Sequence, residues 1–168
     1  RMAKVQLMSD YFYPSLERVK ALEPWVIRTT WSTDEELDVD LSKIFKRKAF
    51  ADIRQPEVFK KVRLHKGCIE WLDTELGADN VYAWAKEQSG EVSHEMFAAW
   101  MARNSLSLST AAAALGISRR MVSYYKTATK PITRAIWLAC LGWEITKPTH
   151  ALPKELPSTS EYAALRAA

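Results

Sequence analysis

Two adjacent arginines, Arg119 and Arg120, stand one helical turn ahead of Ser123 and Tyr124. If this stretch is helical with Val122 and Tyr125 inward, the 3.6-residue period puts those four side chains largely outward. An arginine fork in that position can donate two hydrogen bonds to guanine O6 and N7, worth about 1–3 kcal/mol of discrimination between bases. Ser107, Ser109, Lys126, Thr127 and Lys130 supply hydroxyl and ammonium groups suited to phosphate oxygens, contacts that fix register without reading sequence. Ser118, at the start of the helix, completes the candidate set. From Met96 to Trp143 there are six basic residues (Arg103, Arg119, Arg120, Lys126, Lys130, Arg134) and no Asp or Glu. This chemistry implies double-stranded DNA as a partner.

The elements that must position these groups are legible around them. Leu108 to Tyr125 reads as two short helices about a turn at Gly116, a residue that tolerates positive φ. Ala112 is the small residue where the helices cross, and Leu115, Ile117, Val122 and Tyr125 are spaced as core anchors. Ser107 and Ser118 can cap the two helices. Upstream, Ser93 can cap a helix with an apolar stripe of Met96, Phe97, Trp100 and Met101, ending at Asn104. Downstream, Lys130-Pro131 leads into a helix near Thr133 with Ile136, Ala139, Cys140 and Trp143 on one stripe. Trp137, Leu138 and Leu141 extend its apolar surface most of the way round, which marks it as a dimer or interdomain surface. Residues 146–157 read as an irregular connection, and Ser158-Thr-Ser-Glu161 is a capping-box signature for a last helix carrying Tyr162 and Leu165.

About residues 94–145 resemble the phage-repressor (Cro and repressor, or xenobiotic-response-element) family. Lys130-Pro-Ile-Thr-Arg-Ala-Ile-Trp-Leu-Ala-Cys-Leu141 looks like that family's next helix. The resemblance implies a lambda-repressor-like helix-turn-helix, a transcriptional repressor or autoregulator, and a homodimer on two half-sites. Leu108 stands where the family commonly has a glutamine that contacts phosphate. Lys126 and Ala128 stand where it often has Glu and Gly.

The first half differs in period and in charge. Residues 1–89 hold 15 Lys+Arg against 15 Asp+Glu, while residues 90–168 hold 9 against 5. The net charge of +4 therefore belongs to the second half, an asymmetry expected of a module that faces nucleic acid. Arg18–Leu22, Trp25–Trp31 and Glu36–Leu41 alternate as strands of a hairpin or three-stranded meander, with Glu23-Pro24 and Ser32–Glu35 between them. Residues 42–54 contain a short helix, Pro56–Lys61 a helical turn, and Val62–His65 with Cys68–Trp71 a second hairpin about Lys66-Gly67. Asp79–Glu87 reads as a helix with Val81, Tyr82, Trp84 and Ala85 on its apolar face. The order of strands and Phe/Leu anchors from Trp31 to Phe45, Phe50 to Phe59 and Ile69 to Trp71 resembles domain-of-unknown-function family 2442 over about residues 10–88. That resemblance implies a compact α+β domain and allows an antitoxin role beside a small protein partner.

The expected architecture is an α+β N-terminal domain of antiparallel strands and short helices, residues 1–89, followed by an all-α helix-turn-helix domain, residues 90–168. Gln88-Ser-Gly90 is the expected boundary. Cys68 and Cys140 have no Cys-x-x-Cys pattern and the three histidines have no ligand spacing, so no metal is expected. The five glycines form no phosphate cradle, so no cofactor is expected. The acidic run of Asp34, Glu35, Glu36, Asp38 and Asp40 is a solvated strand face, not a cation site or a catalytic pair, and no enzyme activity is predicted. Lys43, Lys46, Arg47 and Lys48 form a basic cluster, with Lys60, Lys61 and Arg63 beyond, that suits either a soluble surface or auxiliary phosphate contacts. No apolar run spans a bilayer and no signal peptide is visible, which points to the cytoplasm. Arg1 ahead of Met2 is set aside as a cloning remnant. The alternative to a DNA-binding regulator is a protein-binding adaptor or antitoxin whose helices serve packing alone.

Overall fold

A computed structural model describes residues 14–22 and 24–146. The expected connection beyond Thr146 and the capping box at Ser158–Glu161 lie outside the described residues, as does Glu23. The N-terminal strands β1 (Leu16–Ala21), β2 (Val26–Trp31) and β3 (Glu36–Asp40) form an antiparallel meander. Their alternation has the expected result. Ile27, Trp31, Val39 and Leu41 are fully buried, while Arg28 and Asp38, directly opposite on the other face, form a two-pronged ion pair at 2.7 and 2.9 Å.

After β3, two 3-10 turns (Lys48–Phe50 and Asp52–Arg54) and α1 (Pro56–Phe59) lead to a second antiparallel sheet of β4 (Arg63–His65), β5 (Cys68–Trp71) and β6 (Thr74–Gly77). Lys66 and Gly67, at φ 49° and 81°, make the tight turn of the expected hairpin, since a two-residue hairpin needs positive φ there. Strand β6 was not expected from the sequence. It has one buried apolar anchor, Leu76, and its turn is reached through Leu72 at φ 49° with no glycine to signal it. Helix α2 (Ala78–Gln88) crosses β3 and β6. Trp31, Phe45, Phe59, Trp71, Val81 and Ala85 close one core with it. Thr29, fully buried, accepts from the Trp31 indole at 2.9 Å and donates to the Leu37 carbonyl at 2.9 Å, so this polar group is buried without an orphaned bond.

The remaining described chain is helical: α3 (His94–Arg103), α4 (Leu108–Leu115), α5 (Arg119–Lys126) and α6 (Arg134–Thr146). The layout is α+β followed by helices. Phe97, Trp100, Met101, Ala111, Ala112, Val122, Tyr125, Ile132 and Cys140 form a second core. The Trp100 indole donates to the Cys140 carbonyl at 2.9 Å, tying α3 to α6. Burial pushes the Cys140 thiol up to about 12, so it stays protonated and packs as a small apolar group. Cys68 is half-buried. Ala139, placed on the buried stripe of α6, is exposed, as are Leu138 and Ile145 at 57% and 76%. The helix turns Ile136, Cys140 and Trp143 inward and leaves its other flank apolar and uncovered.

The two cores meet at a seam. Val92 forms an isolated antiparallel bridge with Ile132, Lys86 joins Glu35 and Glu91, and Ala128 packs against the N-terminal core. His94, 6% exposed, lies with its ring centroid 6.3 Å from that of Tyr82.

Candidate nucleic-acid interface

The turn between α4 and α5 follows from its residue types. Gly116 takes φ 65°, ψ 30°. The Ile117 amide then bonds the Ala112 carbonyl at 3.0 Å and the Gly116 amide bonds Ala113 at 3.4 Å, the pattern that closes a helix end with a left-handed residue. A Cβ at Gly116 would meet nothing within 4 Å, so its requirement is backbone conformation and not space. Ala111, fully buried, sits deeper at the helix contact than the expected Ala112, which is 8% exposed. Ser107 accepts from the Thr110 amide at 3.2 Å and Thr110 reaches back to the Ser107 amide at 2.8 Å, a reciprocal cap. Ser118 accepts from the Met121 amide at 3.1 Å and so starts α5.

Helix α5 presents the expected faces. Val122 and Tyr125 are buried in the second core, Arg119, Arg120 and Lys126 are exposed, and Ser123 and Tyr124 are half-buried. Tyr124 is more than an outward side chain. Its hydroxyl accepts from Arg120 Nε at 2.5 Å, the Arg120 guanidinium lies 5.2 Å from its ring centroid, and Lys130 Nζ lies 5.7 Å from the same centroid. The ring is a platform gathering two cations, an arrangement cation–π attraction favours. Sequence reasoning named all three residues but not their grouping. The i, i+4 spacing of Arg120 and Tyr124 was the available signal.

The other expected donors divide. Ser107, Ser109 and Lys130 are exposed near the helix ends. Thr127 is half-buried, and its hydroxyl donates to the Ser123 carbonyl at 3.0 Å and lies 2.7 Å from that of Thr129, so it closes α5. Arg103 is drawn away from the set: Glu144, one residue past the acid-free window, holds it at 2.6 Å. Arg119, Arg120, Lys126, Lys130 and Arg134 remain, all exposed and with no carboxylate partner among the described residues. Of the acidic run, Asp34, Glu36, Asp38 and Asp40 are exposed as expected, but Glu35 is half-buried and accepts from the Tyr82 hydroxyl at 2.8 Å and Lys86 Nζ at 2.5 Å. Asp38 pairs with Arg28 and Asp40 accepts from the Ser42 amide, and these partners hold both carboxyls below their ordinary range.

Three facing side chains were missed. His65, Glu70 and Glu75, on adjacent strands of the second sheet, bring their ligand atoms within 4.8 Å of one another. Glu70 already faces Arg63 at 2.8 Å and His65 at 3.0 Å, and the Arg63 bond holds its carboxyl low. Glu70 is thus already engaged by Arg63 and His65.

Residues 16–87 match DUF2442, a protein of unknown function family, which ends just before the helical half. A solved crystal structure from Nitrosomonas europaea, provisionally described as a DNA-binding protein, shares 61% identity over 90% of this chain and 100% of that chain, with a TM-score of 0.81. The chain belongs to the same family as that Nitrosomonas protein. No curated protein matches it. Among the described residues, no helix is long and apolar enough to cross a membrane.

Proposed function

We propose that this chain is a sequence-specific DNA-binding protein of helix-turn-helix type, acting as a transcriptional repressor or autoregulator. One observation carries the reading: α5 exposes Arg119 and Arg120 and leaves Ser123 and Tyr124 half-buried beside Lys126 and Lys130, with no carboxylate among the described residues paired to any of the cations. A helix so equipped suits the major groove, where paired arginine donors read guanine. The likeness to the Nitrosomonas protein and the resemblance to phage repressors support the same direction. A second copy suits the exposed flank of α6, where Ala135, Leu138, Ala139, Gly142 and Ile145 leave apolar surface in water. Two copies would place their reading helices on half-sites about 34 Å apart.

Fluorescence anisotropy with duplex DNA, scanned across salt, tests the reading. About five neutralised phosphates predict a slope of log K against log salt of about −4 to −5. Replacing Arg119 and Arg120 by Ala relaxes base preference. Unchanged affinity and preference in that double variant would sink the assignment of α5. No binding at low salt, with a small protein co-purifying through the N-terminal half, would favour the adaptor or antitoxin reading.

A further inference from the structure

One stretch of the N-terminal half gathers cations with no acid between them. Between Asp40 and Asp52 the chain has no acidic residue, and Lys43, Lys46, Arg47 and Lys48 are all exposed. The segment is anchored along its length. Phe45 is buried in the core and Ile44 and Phe50 pack against it. The Arg54 guanidinium donates to the carbonyl oxygens of Phe45, Lys46 and Arg47 at 2.5, 3.0 and 3.2 Å. Those carbonyls are satisfied by one internal fork, and the four cations are left on the solvent side. The root of the segment is held as well. The Gln88 side chain accepts from the Asp40 amide at 2.8 Å and donates to the Asp40 carbonyl at 2.9 Å, and Gln88 is the last residue of α2, leading into the helical half.

Like charges on neighbouring residues repel, by about 1 kcal/mol for a pair about 4 Å apart in water. Asp40 attracts Lys43 in part, but among the described residues no ion pair engages Lys46, Arg47 or Lys48 to offset that repulsion. A polyanion would offset it, and a fixed backbone means little ordering entropy is lost when one binds. We propose that the Lys43–Lys48 segment is a second DNA contact, engaging backbone phosphates that flank the bases addressed by α5. This rests on the reading of α5 given above. The contact is to phosphate alone, so it adds affinity and salt dependence but no base preference.

The test uses the full chain and duplexes of about 30 base pairs, roughly three helical turns. The variant replaces Lys43, Lys46, Arg47 and Lys48 by Gln. A charge-matched control replaces Arg18, Lys20, Arg28 and Lys66 by Gln, and circular dichroism checks that both fold. Each lost phosphate contact makes the salt slope shallower by about 0.9. The segment variant is expected to lose about two to four units of slope and at least about tenfold in affinity, with base preference intact and the control near wild type. Equal losses in variant and control, or an unchanged slope in the variant, would overturn the segment's role. In that case a relaxed preference in the Arg119→Ala, Arg120→Ala protein would leave the reading of α5 standing. Absence of wild-type binding at low salt would overturn both.

Discussion

The two halves treat charge in opposite ways. In the N-terminal half, Arg28 meets Asp38, Arg63 meets Glu70, and Lys86 lies between Glu35 and Glu91. These pairs sit across strands or between a sheet and a helix, where side chains face each other in register. In the helical half Arg103 finds Glu144, while among the described residues Arg119, Arg120, Lys126, Lys130 and Arg134 meet no carboxylate, and Arg120 and Lys130 lie over the Tyr124 ring. Exposed pairs add little stability, about 0–1 kcal/mol each, so the contrast says little about which half is more stable. It says which half leaves charge available to a partner. The Lys43–Lys48 segment extends that availability into the otherwise balanced half.

The largest expected effect tests whether the halves are separate at all. Trp71 and Trp100 are each 1% exposed, one in each core. Truncating either to Ala should cost about 3–5 kcal/mol. Thermal unfolding followed by near-ultraviolet circular dichroism should then show Trp71→Ala lowering an N-terminal transition, with the helical transition little moved, and the reverse for Trp100→Ala. A single transition shifted alike by both would mean that the seam of Val92, Ile132 and Ala128 joins the cores into one cooperative unit.

Next in size is the loss of base reading. Arg119→Ala and Arg120→Ala should each remove about 1–3 kcal/mol of discrimination, seen as a flattened preference when bound sites are selected from random DNA. Tyr124→Phe separates the platform from the cations. It keeps the ring beside Arg120 and Lys130 but removes the acceptor for Arg120 Nε. A change in preference close to that of Arg120→Ala would show that the hydroxyl aims the guanidinium. A preference like that of wild type would leave the ring alone as the platform.

A smaller effect compares two left-handed residues at the ends of the turn and of α5. Gly116→Ala forces a Cβ onto φ 65° and should destabilise by about 1–2 kcal/mol. Ala128 already bears a Cβ at φ 54° and packs it against the N-terminal core. Ala128→Gly relieves the backbone, loses that packing and loosens the unfolded chain, so denaturant midpoints should move far less than for Gly116→Ala.

Much of this was legible in the residues. The strict alternation of Glu36–Leu41, the serines at 93, 107 and 118, and Gly116 each carry a local physical requirement, and each element formed where that requirement put it. The outward set on α5 followed from Val122 and Tyr125 once the helix was assumed. What escaped depends on distance along the chain. Glu144 reaches Arg103 across 41 positions, and Ala128 meets the N-terminal core only because the halves abut. Strand β6 escaped for a local reason. One buried leucine and a turn without glycine give neither the alternation nor the punctuation that marks a strand.

The seam supplies the smallest and most specific prediction. His94 Nε2 lies 3.6 Å from the Glu95 carboxylate; burial lowers its pKa, and the nearby Asp79 and Glu87 carboxylates counter that only in part. Its ring is therefore neutral when folded at a pH where the unfolded chain, near an ordinary value of about 6.5, begins to take up a proton. The unfolded state then binds more protons, so the stability His94 contributes is present above about pH 6.5 and is lost as pH falls toward its folded value. Glu35, Asp38, Asp40 and Glu70, whose pKa values are also lowered, act further down, below the carboxylate range. Urea unfolding at about pH 7 and about pH 5.5 separates the two groups, because only histidine titration falls between those values. His94→Gln should flatten the fall in stability over that interval while leaving the steeper loss at lower pH. An interval just as steep in the variant would mean that the seam between the paired and the unpaired half does not titrate through this ring.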